Sequence, residues 1–115
     1  GEKWPNFNEM VDNNYQFSFG SDFNPNCRTL SLPFMGSIAV QRCGLDPLIA
    51  LSAVTVNPAK TLDRNDGLEQ GVIKEGAVCN LNILNSEFWQ AWALQPGISP
   101  IETTILEGNI IQHQQ

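Results

Sequence analysis

The sequence predicts an α/β fold in which one strand is followed by helices and then by further strands. Three observations support this prediction. Residues 15–19 alternate between apolar and polar side chains like a strand and end at Gly20. The middle of the chain has helical spacing behind the capping pair Asp46-Pro47, and strand-like alternation returns from residue 79 onward. With 115 residues, the chain is one domain or less.

Helices are predicted on both sides of this first strand. Residues 7–11 have apolar side chains at positions i, i+3 and i+4, which is typical of a short helix. Residues 22–31 are rich in Asn, Pro and Ser and are predicted to form a loop. The apolar run 32–40 fits a buried helix after Pro33, although its length leaves the assignment open.

The next helix has the clearest signals. Asp46 is a good N-cap, and Pro47 suits the first helical position because its missing N–H would be unpaired there anyway. The Asn-Pro pair at 57–58 is predicted to interrupt the helix, since the residue before a proline disfavours helical angles. A further helical turn is predicted at 59–62.

The second half of the chain has the period of strands. Residues 85–100 contain two Trp and two Pro and are predicted to cross irregularly between strands. A turn at 107–109 joins the last two strands into a hairpin. The predicted strands, in chain order, are 72–73, 78–84, 101–106 and 110–111.

Composition excludes several classes of function. Twelve acidic and six basic residues give a net charge of −6, and no basic cluster is present, which argues against nucleic acid and anionic membranes as partners. No apolar run reaches about 18 residues, so no membrane span is expected. The three cysteines are widely spaced without a Cys-x-x-Cys motif, which favours free thiols in a reducing cytoplasm.

The Ser-Asp-Phe-Asn-Pro string at residues 21–25 is the main candidate for chemistry. A carboxylate just past the end of a strand lies where α/β barrel enzymes place catalytic groups. Taken alone, Asp22 could also be a loop or helix-capping residue, and Asn24 before Pro25 is ordinary turn chemistry.

This string resembles the end of the last barrel strand in metal-dependent amidohydrolases, most closely in the imidazolonepropionase family. The order of the elements that follow, with an Asn-Pro-Ala turn at 57–59 and a Gly-rich entry to strands at 76–84, is similar to the C-terminal third of that superfamily. The resemblance implies the C-terminal fragment of an amidohydrolase-type α/β barrel, with the last barrel strand plus helices at 1–66. Strands of a small composite β-sandwich are then expected at 67–115.

The resemblance also implies roles for individual residues. Asp22 is expected to bind the metal, zinc or iron in the parent enzyme, and to take the proton from the attacking water. Asn24 is expected to hydrogen-bond the substrate, and Asn26 and Cys27 to contact it, although the family usually has Gly and then Ser or Thr at these two positions. For Cys27, an unreactive small residue remains the alternative.

A hydrolytic metal site needs about three protein ligands, whereas this chain offers Asp22 and one histidine, His113, in a tail expected to be solvated. An eight-stranded barrel also needs roughly 250 residues. We therefore predict a fragment of a hydrolase acting on C–N bonds of cyclic amides, imidazolonepropionase-like and part of histidine degradation. Alone it is expected to be inactive and metal-free.

The expected partners are the missing N-terminal portion of the enzyme or a second copy of the chain, with a small-molecule substrate in the parent. Two alternatives stay open. One is a non-catalytic assembly or binding module derived from such an enzyme, because severed strands expose unpaired edges. The other is a deaminase of the same superfamily.

Overall fold

A computed structural model describes residues 3–111 and contains both helices and an antiparallel sheet. The helices occupy the first part of the chain and the strands the last part, with a 3₁₀ helix between the first two strands. In chain order, the elements are α1 (Phe7–Asp12), α2 (Leu32–Gln41), α3 (Pro47–Ser52), α4 (Val56–Ala59), β1 (Leu81–Leu84), the 3₁₀ helix (Trp89–Ala93), β2 (Ile101–Leu106) and β3 (Asn109–Ile111).

Local capping signals explain where α2 and α3 begin. The Asp46 carboxylate accepts hydrogen bonds from the backbone N–H groups of Leu48 at 2.8 Å and Ile49 at 3.4 Å. The Ser31 hydroxyl accepts one from the N–H of Phe34 at 3.2 Å. Each bond satisfies a donor that the first helical turn leaves unpaired. The helices predicted near residues 7–11 and 32–40 are confirmed. The helix predicted to run from Pro47 to the Asn-Pro pair at 57–58 is confirmed from Pro47 to Ser52.

The strand predicted at residues 15–19 is wrong for this structure. Its alternation is present, since Phe17 and Phe19 are half-buried while Gln16 and Ser18 are exposed. Among residues 3–111, however, no neighbouring strand forms a ladder with this segment. A strand requires a partner for its backbone hydrogen bonds, so the segment is irregular in secondary structure.

The predicted position of the helix break is also wrong. α3 ends at Ser52, and Thr55, with φ −123° and ψ −88°, separates it from α4. The Asn-Pro pair 57–58 lies inside α4 rather than ending a helix. Pro58 falls in the first turn, where the N–H that it lacks has no intrahelical acceptor. The helical turn predicted at 59–62 therefore occurs three residues earlier.

The strands form an antiparallel sheet in the order β1-β2-β3, with Leu81 opposite Ile105 and Leu106 opposite Asn109. The predicted strand 101–106 and its hairpin are thus confirmed, with the return strand beginning at Asn109. The strand predicted at 72–73 is wrong, because residue 72 lies in a bend and residue 73 has no regular secondary structure.

The strand predicted at 78–84 is confirmed only from Leu81, because the two residues before it contact the hairpin turn instead. The Asn80 side chain accepts a hydrogen bond from the N–H of Glu107 at 2.8 Å. The carbonyl of Cys79 accepts one from the N–H of Gly108 at 3.0 Å. Their hydrogen-bonding groups are therefore used by the turn rather than by a ladder.

The core lies between α2, α3 and the 3₁₀ helix. The 3₁₀ helix presses the Trp92 ring against Gly36, where an added Cβ would overlap the ring. Its indole nitrogen is buried and, among the described residues, has no hydrogen-bond partner. The core residues are Ala39, Leu45, Ala50, Trp92 and Ala93. The second half of the chain therefore contributes directly to the core of the first half.

Further sequence predictions concern membranes and thiols. No helix within residues 3–111 combines the length and apolar character needed to cross a membrane. Cys27, Cys43 and Cys79 are free thiols, as predicted. His113 lies outside the described residues.

Candidate functional site

The segment that leads to the candidate site is attached to α3 and α4 at two points. The N–H of Phe19 donates to the carbonyl of Ala53 at 3.0 Å. The side-chain amide of Asn57 donates to the carbonyl of Phe17 at 2.9 Å. The rings of Phe7, Phe17 and Phe19 pack together with centroids 5.4–5.8 Å apart. These contacts hold residues 17–19, and with them the start of the loop at 21–27, although no β-ladder is formed there.

The Asn24 side chain organises the loop itself. Its oxygen accepts hydrogen bonds from the backbone N–H groups of Asn26 at 2.8 Å and Cys27 at 3.2 Å. Its amide donates to the carbonyl of Asp22 at 2.6 Å. Reciprocal backbone bonds between Asn24 and Cys27, at 2.9 and 3.0 Å, close the turn. These hydrogen bonds confirm the prediction that Asn24 stabilises a turn.

Asp22 lies on this loop with an exposed side chain and a left-handed backbone, φ 52°. Such angles are uncommon outside glycine, although Asp and Asn adopt them more readily than other residues. Within residues 3–111, no hydrogen bond or ion pair to its carboxylate is present. Among these residues, the carboxylate is therefore exposed to solvent and unpaired.

Cys27 and Asn26 complete the predicted set. The Cys27 thiol is half-buried and donates to the carbonyl of Ser21 at 3.6 Å, within the loop. The Asn26 side chain is exposed beside it. The structure thus brings all four predicted site residues onto one short loop, and their roles toward substrate and metal remain predictions.

The donor set of the described residues does not fit a complete metal site. Between residues 3 and 111, no three His, Cys, Asp or Glu side chains are grouped closely enough to hold a metal ion. Asp22 would supply one oxygen ligand, whereas hydrolytic sites use about three protein ligands. A metal at Asp22 would need ligands from elsewhere.

A cluster of charged side chains outside the 21–27 loop lies beside a cleft of about 300 Å³ between α4 and residues 62–70. Arg64 pairs with Asp66 at 2.5 Å and with Glu107 at 3.4 Å. The Arg64 hydrogen bond and the N–H of Leu68 lower the pKa of Asp66 to about 2, and the hydrogen bond to Asp66 raises the pKa of Arg64. The pair with Glu107 joins the hairpin turn to the loop after α4.

Sequence reasoning missed the residues that anchor the loop from a distance. The sequence patterns assign Asn57 to a helix break and to an Asn-Pro-Ala turn, and they indicate no tertiary contact for Ala53. Nothing in the local pattern indicates that either contacts a segment about 35 to 40 residues earlier. The one local signal was that Asn57 is a polar residue close to the end of the apolar helix α3.

Comparison with known proteins identifies the family. No protein-family model matches the chain. It is 35% identical to the imidazolonepropionase of Haloarcula marismortui over 91 residues, which cover 79% of this chain and 21% of that protein. It is 32% identical over 111 residues to the probable imidazolonepropionase of Homo sapiens, covering 95% and 26%. With the Cutibacterium acnes imidazolonepropionase it shares 30% over 115 residues, covering 99% and 28%.

These relatives agree with one another in name and in the extent of the match. The chain spans about a quarter of their length. The chain therefore belongs to the imidazolonepropionase family, whose members it matches over about a quarter of their length.

Proposed function

We propose that this chain is the C-terminal portion of a cytoplasmic imidazolonepropionase-like hydrolase in histidine degradation. In this proposal, residues 1–66 supply the last barrel strand and helices, and residues 67–115 supply strands of a composite sandwich. The observation that carries it is the exposed carboxylate of Asp22, held on a closed loop at the end of an anchored segment. The match to family members over most of the chain supports the same assignment.

Asp22 would act as the base in hydrolysis of a C–N bond of the imidazolone ring. Its carboxylate takes a proton from the attacking water and passes it to the leaving nitrogen as the ring opens to N-formimino-glutamate. An exposed carboxylate without a competing partner among residues 3–111 suits proton transfer, because its oxygens remain available to water and substrate. General acid–base catalysis of this kind contributes about 10²–10⁴ in rate.

Asn24 would combine loop closure with substrate contact. A side-chain amide has two N–H donors, and one of those in Asn24 is used on the carbonyl of Asp22. The second remains for a ring oxygen or nitrogen of the substrate. Asn26 and Cys27 would contact the same substrate from the neighbouring positions, with the Cys27 thiol the weaker donor.

The whole enzyme is proposed to use zinc or iron, which would supply an activated water when bound. Asp22 would be one ligand, and the others would come from outside this chain. We propose that residues 1–115 alone are inactive and hold no metal tightly, because affinity needs several preorganised ligands. Elemental analysis of chelator-washed protein tests this, and one tightly held zinc or iron per chain would contradict it.

The catalytic proposal is tested in a hybrid enzyme in which residues 1–115 replace the matching segment of the Cutibacterium acnes relative, whose match covers 99% of this chain. Hydrolysis of imidazolone propionate is measured for the hybrid and for two variants. Asp22→Asn should lower kcat/KM by about 10²–10⁴. Asp12→Asn, at the exposed end of α1, is the matched control and should leave the rate unchanged. Full activity of the Asp22→Asn hybrid would refute the role of Asp22.

A second candidate function is a non-catalytic assembly module, which the exposed apolar surface favours. Large apolar side chains at Ile83, Phe88, Leu106 and Ile110 are 48–71% exposed. Within the described residues, β1 and β3 each pair on one side only, which leaves two open edges. Sedimentation at micromolar concentration tests this function. A compact monomer would argue against it, and a dimer or larger species would support it.

A further inference from the structure

We propose that Asn57 is a positioning residue for the reaction, acting on Asp22 through the backbone of the preceding segment. The proposal rests on the proposed function and adds a residue outside the loop to it. Its basis is the hydrogen bond of 2.9 Å from the Asn57 side-chain amide to the carbonyl of Phe17. The two residues are separated by 40 positions, so the bond fixes tertiary geometry rather than a local turn.

Two hydrogen bonds attach the segment at residues 17–19 to the helices, and together they determine both the position and the direction of this segment. Phe17 accepts from Asn57, and Phe19 donates to the carbonyl of Ala53 at 3.0 Å. The anchors lie four residues apart, one at the end of α3 and one in α4. A single bond would let the segment pivot, whereas two bonds at alternate residues prevent it. The Asn57 bond is the one that a side-chain substitution can remove.

The short helix α4, which contains Asn57, is held in place by contacts with residues 70 and 71. The Gln70 side chain donates to the carbonyl of Leu62 at 2.8 Å, just after α4. Gly71, at φ 78°, approaches so closely that an added Cβ would lie 2.9 Å from the carbonyl oxygen of Thr55. The Asn57 amide is therefore a preorganised donor rather than a mobile surface group.

Asp22 lies only five residues after Phe17, and the backbone between them is held at both ends. Phe17 and Phe19 are fixed by ring packing with Phe7. Beyond Gly20, the Asn24 amide holds the carbonyl of Asp22 at 2.6 Å. A shift of the Phe17 carbonyl would therefore move Asp22, and displacements of about 1 Å can lower an enzymatic rate by about a hundredfold.

The test uses the hybrid enzyme and the variant Asn57→Asp, which keeps the size of the side chain but places an oxygen against the Phe17 carbonyl. We expect kcat/KM to fall by about tenfold to a hundredfold. In the Asp22→Asn background, the same change should have no further effect, because a positioning residue acts only through the group it positions. The control Asn109→Asp removes a comparable amide bond, to the carbonyl of Glu107 at 3.2 Å, and should leave the rate unchanged.

Two outcomes overturn the proposal separately from the proposed function. If Asp22→Asn lowers the rate but Asn57→Asp does not, Asn57 has no positioning role. If Asn57→Asp lowers the rate equally in both backgrounds, its effect does not pass through Asp22. If Asp22→Asn itself leaves the rate unchanged, the proposed function fails instead.

Two further measurements keep the test decisive if Asn57→Asp folds poorly. Asn57→Ala introduces no repulsive oxygen, and it should show the same dependence on Asp22 with a smaller loss of rate. In the 115-residue chain, it should also raise hydrogen exchange at the N–H of Phe19 by about fivefold, while exchange at the N–H of Gly108 stays constant. Unchanged exchange at Phe19 would overturn the anchoring.

Discussion

The helical region, formed by α2, α3 and the 3₁₀ helix, and the sheet, formed by β1–β3, bury their apolar side chains to very different degrees. In the helical region, Ala50 and Ala93 are fully buried and Trp92 is 6% exposed. In the sheet, Ile110 is 70% exposed, and every residue of β3 is exposed. One region has closed a core within this chain, and the other presents apolar surface outward.

This difference indicates what stabilises each region. Apolar burial stabilises by about 25 cal/mol per Å² removed from water, and the helical region gains from it. The sheet gains mainly from its ladder and from the contacts of its turn, and a small sheet needs a covered face for independent stability. Substitutions in the helical region should therefore affect unfolding, and those on the sheet should affect association.

The largest expected effect comes from removing the ring that closes the core. Trp92→Ala should lower the free energy of unfolding by about 3–5 kcal/mol, because it leaves a cavity between α2 and α3. Trp4→Ala, at a ring that is 64% exposed, is the control and should change it little. Urea denaturation followed by circular dichroism measures both. Equal losses for the two variants would show that the core does not depend on Trp92.

The next effect tests how tightly that ring is packed. Gly36→Ala should destabilise by about 1–3 kcal/mol, because the added Cβ overlaps the buried Trp92 ring. This clash outweighs the gain of about 1 kcal/mol that Ala has over Gly in a helix. Gly20→Ala, which meets no atom within 4 Å, should be neutral or slightly stabilising. Comparable denaturation midpoints for both variants would contradict the packing.

A smaller effect on stability, but a clear one on association, is expected on the sheet. Ile110→Lys should change unfolding by less than about 0.5 kcal/mol, since its side chain already faces solvent. It should also weaken any self-association through β3, because an edge lysine disfavours strand pairing. Leu62→Lys, which lies outside the sheet, is the control. Sedimentation velocity compares the variants, and equal self-association by both would exclude β3 as the contact.

The smallest effect concerns the ion pair between Arg64 and Asp66 in the loop after α4. The pKa of Asp66 is lowered from 3.8 to about 2, chiefly by the Arg64 hydrogen bond. Because the folded pKa is below the unfolded one, this contribution to stability is complete above pH 3.8 and is lost as pH falls through about 2.

Acid titration of unfolding measures this contribution. The wild type should lose slightly more stability between pH 4 and pH 2 than Arg64→Gln, in which the pKa of Asp66 is lowered by the N–H of Leu68 but no longer by Arg64. Lys74→Gln removes the pair with Glu69 at 2.9 Å and leaves Asp66 intact, so its curve should follow the wild type in this range. Identical curves for Arg64→Gln and the wild type would show that the Arg64 pair adds no stability.

Features that depend on a few adjacent residues were determined by the sequence itself. Asp46-Pro47 starts α3 because an N-cap and a first-turn proline act within one turn of helix. The hairpin at Glu107 and Gly108 follows from a turn that accepts left-handed angles, which both residues adopt. The string at 21–25 likewise indicated the loop that carries the candidate site, since Asn24 closes it by local hydrogen bonds.

Features that depend on distant partners were decided only by the tertiary structure. Residues 15–19 alternate like a strand, but a strand also needs a neighbour, and no other segment among residues 3–111 pairs with them. The Asn-Pro pair 57–58 predicts a helix break, whereas in the structure the Asn57 side chain donates a hydrogen bond to the carbonyl of Phe17, 40 residues earlier. Local patterns record backbone preference, whereas such contacts depend on which surfaces the folded chain brings together.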